Sequence, residues 1–155
     1  MKSKFDEQIA AFNTMYGLPA PARPTMPPTR AEAVQKLLDF SHILAEELDE
    51  VKDIITKLTD GVTSQPDVLA EIADWLGDIQ VYCASEMAKY GLESGVVLDT
   101  IMASNMSKLG EDGKPIYDGR GKVMKGPNYW KPEPQIKRYI MAAARQTPGG
   151  EQDAN

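Results

Sequence analysis

The sequence predicts an all-α protein: a bundle of about four to five helices with a Gly/Pro-rich C-terminal arm, completed by oligomerisation. Three observations carry this. Apolar residues recur at helical spacing through the first 110 residues, with no strong strand pattern and no internal repeat. The stretch 30–58 contains neither proline nor glycine. Short turn-rich segments separate the periodic stretches, as antiparallel neighbours in a bundle require. The 155 residues fit one domain, taken as 1–146, followed by a flexible tail at 147–155.

The first element is a short amphipathic helix over 5–16, with Phe5, Ile9 and Phe12 on one face and Gly17 as its stop. The segment LPAPARPTMPPT follows. Proline excludes helix there and restricts the residue before it, so this connector is extended, either a stiff linker or a strap over the next helices. Thr29 and Glu32 have the spacing of a capping box. They open a helix over 30–58, whose apolar stripe runs through Leu37, Leu38, Ser41, Leu44, Leu48, Val51, Ile55 and Leu58. TDGVTSQP ends it. A helix over 67–90 closes at Gly91, and another over 94–108 closes at Gly110. Residues 110–134 hold five glycines and four lysines and form a loop or arm. Its apolar pairs Ile116-Tyr117, Val123-Met124 and Tyr129-Trp130 argue that it is ordered against a surface. A last helix is expected over 135–146.

Composition narrows the function. Hydrophobic residues make up 42% and charged residues 26%, as in ordinary globular proteins. No apolar run approaches the roughly 20 residues needed to span a bilayer. Met1-Lys2-Ser3-Lys4 is basic but leads into no apolar stretch, so no secretory signal is seen and the cytoplasm is the expected compartment. The net charge of -6 disfavours a nucleic-acid polymer as partner. The lone Cys83 excludes an intrachain disulfide and reads as an inert buried thiol. The single histidine, His42, gives poor support to a zinc site or a Ser-His-Asp triad.

The chemistry lies in two acidic clusters. Helix 30–58 contains Glu46-Glu47-Leu48-Asp49-Glu50, and helix 67–90 contains Glu71, Asp74 and Asp78. Glu47 and Glu50 stand at i, i+3, and Glu46 and Glu50 at i, i+4; Glu71, Asp74 and Asp78 stack along one face. Both sets adjoin apolar stripes. Carboxylates beside a core stripe on facing helices repel one another unless cations or protons intervene. An all-oxygen donor set of this kind suits Mg²⁺ or Mn²⁺. Taken alone, the first cluster reads as a solvated face partnered by Lys52 and Lys57; the two clusters together, on adjacent helices, point to a site.

The pattern EExxE, about twenty residues, then ExxD resembles the signature of the MazG-like all-α nucleotide pyrophosphohydrolases. That superfamily includes dimeric dUTPases, dCTP pyrophosphatases and phosphoribosyl-ATP pyrophosphohydrolase. Here the signature is Glu46, Glu47, Glu50, Glu71 and Asp74. The likeness spans about 5–130, including FNTMYGLP, the segment Asn105 to Gly110, and GKVMKGPNYW, which is similar to a subset of small stand-alone members. The resemblance implies that Glu47, Glu50, Glu71 and Asp74 ligate Mg²⁺, with Mn²⁺ as substitute. Glu46 would orient or deprotonate the attacking water or bind a second ion, and Asp78 would stand just behind the ligands. It implies attack at the α-phosphorus of a nucleoside triphosphate, yielding monophosphate and pyrophosphate in nucleotide-pool control. It also implies a homodimer or dimer of dimers. Asn105 and Lys108, at i, i+3, and Lys122 and Lys125 on the arm are the expected phosphate donors. Phe12, Asn13, Tyr16, Trp75, Tyr82 and Tyr129 are candidates for the base. Competing readings are a phosphoribosyl-ATP pyrophosphohydrolase, which the long arm fits less well, and a non-catalytic helical interaction module. A di-iron bundle is disfavoured because His42 forms no Glu-x-x-His pair with the signature acids.

Overall fold

The computed structural model describes residues 2–145, and these are all-helical apart from turns and two isolated bridges. The helices are α1 (Lys4–Met15), α2 (Arg30–Asp49), α3 (Val51–Asp60), α4 (Gln65–Lys89), α5 (Ser94–Met106) and α6 (Glu133–Arg145). The expected tail at 147–155 and the last residue of the final expected helix, Gln146, lie outside the described residues. No helix among the described residues is long and apolar enough to cross a membrane.

Local chemistry sets most boundaries. Ser3, Thr29 and Ser64 cap α1, α2 and α4, each side chain accepting a backbone N–H three residues on. Helix α4 starts two residues before the expected position. Pro66 sits in its first turn, where a missing N–H breaks no intrahelical bond. Gly61 ends α3 at φ 65°, a left-handed conformation that glycine adopts without steric cost. Helix α5 stops at Met106 rather than at Lys108, as Ser107 and Lys108 turn back on Ala103, Ser104 and Asn105.

The expected helix over 30–58 is two helices broken at Glu50. Glu47's carbonyl accepts the Glu50 N–H at 3.3 Å, a three-residue step, and also the indole N–H of Trp75 at 2.9 Å. The break therefore has a tertiary partner: Trp75 on α4 satisfies the carbonyl at which α2 loosens.

Helix α4 is the axis of the molecule, contacting α1, α2, α3 and α5. The proline-rich segment is a strap. Thr25 donates its N–H to the Tyr90 carbonyl at 2.9 Å, and a Cβ at Gly91 would run into the Arg23 carbonyl. Glycine is needed at 91 both for this approach and for φ 70°. The arm is ordered by nested turns. Gly110 N–H bonds Lys114, Met124 N–H bonds Ile116, and Gly126 N–H returns to Lys108. Its apolar pairs behave unequally: Ile116, Tyr117, Val123 and Met124 are exposed, whereas Tyr129 and Trp130 are half-buried.

Much of the apolar stripe expected to face a core does not. Leu37, Leu38, Leu48, Ile55 and Leu58 are exposed, and across α2 and α3 only Glu47 and Ile54 are buried. Helix α4 covers one side of α2–α3, and among the described residues nothing covers the exposed leucines and isoleucine of the other.

Asp6 joins α1 to α5. Its Oδ1 accepts from Ser94 N at 2.7 Å and Ser94 Oγ at 2.6 Å, and both its oxygens receive Gly95 N–H. Helix α5 has no side-chain cap of its own, so Asp6 serves that role from another helix. A Cβ at Gly95 would lie 2.9 Å from Asp6 Oδ2. Burial alone would raise the Asp6 pKa; the bonds from Ser3, Ser94 and Gly95 outweigh it and hold the carboxyl below its ordinary 3.8. A depressed carboxyl pKa stabilises the fold above the unfolded value, and that contribution disappears as pH falls through the folded one. Asp6→Ala is expected to cost about 2 kcal/mol in urea unfolding at pH 7, and to flatten the acid limb of the stability profile below about pH 4.

Candidate functional site

The two acidic clusters meet. Helices α2–α3 and α4 run antiparallel across the short turn at 61–64, and between them lies a groove of about 340 Å³. Glu50, Asp53 and Lys57 line one wall; Glu71, Asp74 and Asp78 line the other. Trp75 forms part of the floor, fixed by its bond to the Glu47 carbonyl. The i, i+3, i+7 spacing on α4 presents its three acids along one edge.

Glu47 is the electrostatic centre. It is 7% exposed, and its Oε1 is buried with no hydrogen-bond partner. Burial pushes its carboxyl pKa up, and the charges of Glu50, Asp78 and Asp74 push it further. An orphaned, buried carboxylate oxygen among like charges is costly in a native fold. A bound cation would relieve that cost, so the donor set fits a hard divalent cation. The arrangement is open: among the described residues no three His, Cys, Asp or Glu side chains form a ready-made cage. Lys57 Nζ meanwhile holds both oxygens of Glu71, at 2.9 and 2.8 Å.

Other expected residues fall elsewhere. Glu46 is exposed, with its Oε1 3.3 Å from His42 Nε2, and neither it nor the buried Glu47 is among the residues that line the groove. Packing against α4 leaves Glu46 in solvent while Glu47 turns inward beside Glu50, Asp74 and Asp78. Asn13 also falls elsewhere. It is fully buried, its Nδ2 donates to Pro19 O and Ser85 O, and its Oδ1 accepts from Ser85 Oγ at 2.6 Å. One amide hydrogen bond joins α1 to α4 and the other ties α1 to the start of the strap, so none is left for a base.

Asn105 and Lys108 pair with each other at 2.7 Å. Lys125 stands 4.7 Å over the Tyr129 ring, and Lys122 is exposed on the arm. None of these five residues lines the acidic groove. The arm folds back on the end of α5, where Ser104 Oγ donates to Trp130 O and Trp130 N–H donates to Ser107 Oγ.

Three base candidates do converge. Phe12 and Tyr16, with ring centroids 4.7 Å apart, face Tyr82 across a cavity of about 540 Å³ that also takes in Phe40 and Lys89. Asp78 lines both this cavity and the acidic groove, so the two are neighbours. The sequence pattern did not single out Phe40, Asp53 or Lys89. Asp53 had a local signal, standing three residues after Glu50 and four before Lys57.

No protein-family model matches the chain, and no curated protein matches it. Among solved structures it is similar to a "putative NTP pyrophosphohydrolase" from Exiguobacterium sp. 255-15. Identity is 21%, covering 92% of this chain and 96% of that chain, with a TM-score of 0.49. A likeness of that degree says nothing of the chemistry, which rests on the residues of the groove.

Glu47 supplies a test of the electrostatics. Because its folded pKa is raised, the stability it contributes is present at low pH and is lost as pH rises through the folded value. Glu47→Gln removes the repulsion. The metal-free variant is expected to melt roughly 2–4 °C above the parent at pH 7.5, and the two curves are expected to converge near pH 4. Differential scanning calorimetry in chelator reads both.

Proposed function

We propose that the chain is a Mg²⁺-dependent nucleoside triphosphate pyrophosphohydrolase, producing monophosphate and pyrophosphate for nucleotide-pool control. The observation that carries this is Glu47: an unpartnered buried carboxylate oxygen surrounded by Glu50, Asp74 and Asp78. A divalent cation stabilises such a group by offsetting the like charges around it. The EExxE and ExxD spacing agrees with it.

Glu47, Glu50, Glu71 and Asp74 would hold the cation, with Mn²⁺ as substitute. Once bound, the cation offsets the triphosphate's charge, polarises the phosphoryl oxygens and stabilises the departing pyrophosphate. The remaining roles fall to side chains. Asp53 and Asp78 line the groove outside that ligand set and are placed to orient water and take its proton. Phe12, Tyr16 and Tyr82 offer apolar faces next door, where a base can stack while its phosphates extend past Asp78. Asn105, Lys108, Lys122 and Lys125 lie away from this groove in one chain. They would act as phosphate donors only where a second copy brings its arm and the end of its α5 across.

A second copy is part of the proposal. The exposed leucines and isoleucine of α2–α3, at helical spacing, would supply an apolar face of the kind an obligate homodimer covers. Sedimentation equilibrium is expected to give a dimer, or a dimer of dimers, of the 17.1 kDa chain at micromolar concentration. A stable monomer would sink the expectation.

Activity is tested by a pyrophosphate-release screen over ordinary and modified nucleoside triphosphates, with phosphoribosyl-ATP included. Millimolar Mg²⁺ is expected to be required and to raise the melting temperature. Glu47→Gln and Asp74→Asn are each expected to lower turnover by about 100-fold or more. If no substrate in the panel is cleaved and metal leaves the melting temperature unchanged, the groove is a solvated face and the chain an interaction module.

A further inference from the structure

We infer that Lys57 is a displaceable counter-ion of the acidic groove: it holds Glu71 before a divalent cation enters and passes to the substrate's phosphates afterwards. This rests on the metal-dependent function proposed above and assigns a positioning role that the signature acids do not include.

The geometry carries the first half. Lys57 Nζ meets both carboxylate oxygens of Glu71, at 2.9 and 2.8 Å, across the turn that joins α3 to α4. Among the described residues that line the groove, Lys57 is the only cation, set against Glu50, Asp53, Glu71, Asp74 and Asp78. Both Glu71 oxygens are therefore engaged where a metal ligand is wanted. The open donor arrangement follows, since Glu71 is drawn to the α3 side while Glu47 lies with Glu50, Asp74 and Asp78. Lys57 acts as a monovalent stand-in for the missing charge.

The second half follows from energetics. The pair is exposed enough to be weak: the Lys57 side chain is 46% exposed and that of Glu71 35%. Such pairs form and break at little cost. Among the described residues, Glu71 is the only hydrogen-bond acceptor of Lys57 Nζ. A dication in the groove repels the ammonium and competes for the same oxygens. The freed side chain has a flexible four-carbon stem and three donors, and it stays anchored on α3 at the rim of the groove. A triphosphate carrying about four negative charges is the acceptor that arrives there. Exchange of one carboxylate for one phosphate leaves the lysine unpaired only between metal entry and substrate arrival, when its exposed head is solvated by water.

The test uses the full-length protein, Mn²⁺ followed by electron paramagnetic resonance, and an uncleavable α,β-imido nucleoside triphosphate followed by calorimetry. Lys57→Met removes the competitor while keeping the stem. It is expected to bind Mn²⁺ roughly two- to fivefold more tightly than the parent without nucleotide. With Mn²⁺ saturating, it is expected to bind the analogue about tenfold more weakly. Lys57→Arg should restore the analogue's affinity. A lysine that only neutralised the end of α3 would move neither binding constant in these opposite directions. Unchanged or weaker Mn²⁺ binding by Lys57→Met, or unchanged analogue binding, overturns the inference. Lys57→Gln provides the same readouts if the methionine variant does not fold. A parent protein that binds no Mn²⁺ overturns the metal-dependent function itself, which keeps the two failures apart.

Discussion

The structure depends on negative charge that the fold gathers and does not neutralise. Glu47 is pressed between α2 and α4 with an oxygen that bonds to nothing, and three further carboxylates raise its proton affinity. A protein selected for stability alone would place a leucine there, since apolar packing at such a position is commonly neutral or better. Retaining the carboxylate lowers the stability of the metal-free chain. On the proposed function, what the charge would gain is affinity for a cation, since a site that raises a carboxyl's proton affinity also favours a dication.

The rest of the fold maintains that gathering with few apolar groups. Ile9, Ile54, Val68, Ala84 and Val97 are the buried hydrophobic residues. Polar ties carry the geometry between them. Asn13 joins α1 to α4 through Ser85, Asp6 joins α1 to α5 through Ser94 and Gly95, and Trp75 joins α4 to the break between α2 and α3. Each tie is directional, so each sets register rather than mere proximity. The Trp75 bond matters most for the groove. It fixes the backbone at Glu47, and with it the direction in which Glu47 points inward and Glu46 outward.

The sequence is informative where structure is local and less so where it is not. Thr29 as a cap and Gly17, Gly61 and Gly91 as stops follow from neighbours within a turn, and the structure has them so. The pairing of the two acidic clusters was legible because helical spacing and a short connecting turn leave few alternatives. The break at Glu50 was not legible, because its partner Trp75 is 28 residues away. Asn13 looked like a free amide for the same reason: Ser85, whose carbonyl accepts from its Nδ2 and whose hydroxyl donates to its Oδ1, is 72 residues distant. The leucine stripe was correctly periodic, but periodicity cannot say whether its cover comes from the same chain. Lys57 was recognisable as a partner for nearby acids, whereas its seat on Glu71 required the turn at 61–64 to be folded.

These failures share a cause that bears on function. The residues misjudged from sequence are those whose environment is set by contacts between helices, and the groove is built from such contacts. A helix alone would leave Glu46 and Glu47 equivalent, two acids on a solvated face. Packing against α4 separates them, with one side chain in water beside His42 and the other buried without a partner. The chemical difference between adjacent glutamates is thus created by the tertiary fold. The same packing brings Lys57 to Glu71, supplying a weak cation where a stronger one is wanted. The lysine limits the repulsion between the two helices through a bond that its exposure keeps weak, so the groove can fold on this pairing and the pair can still exchange.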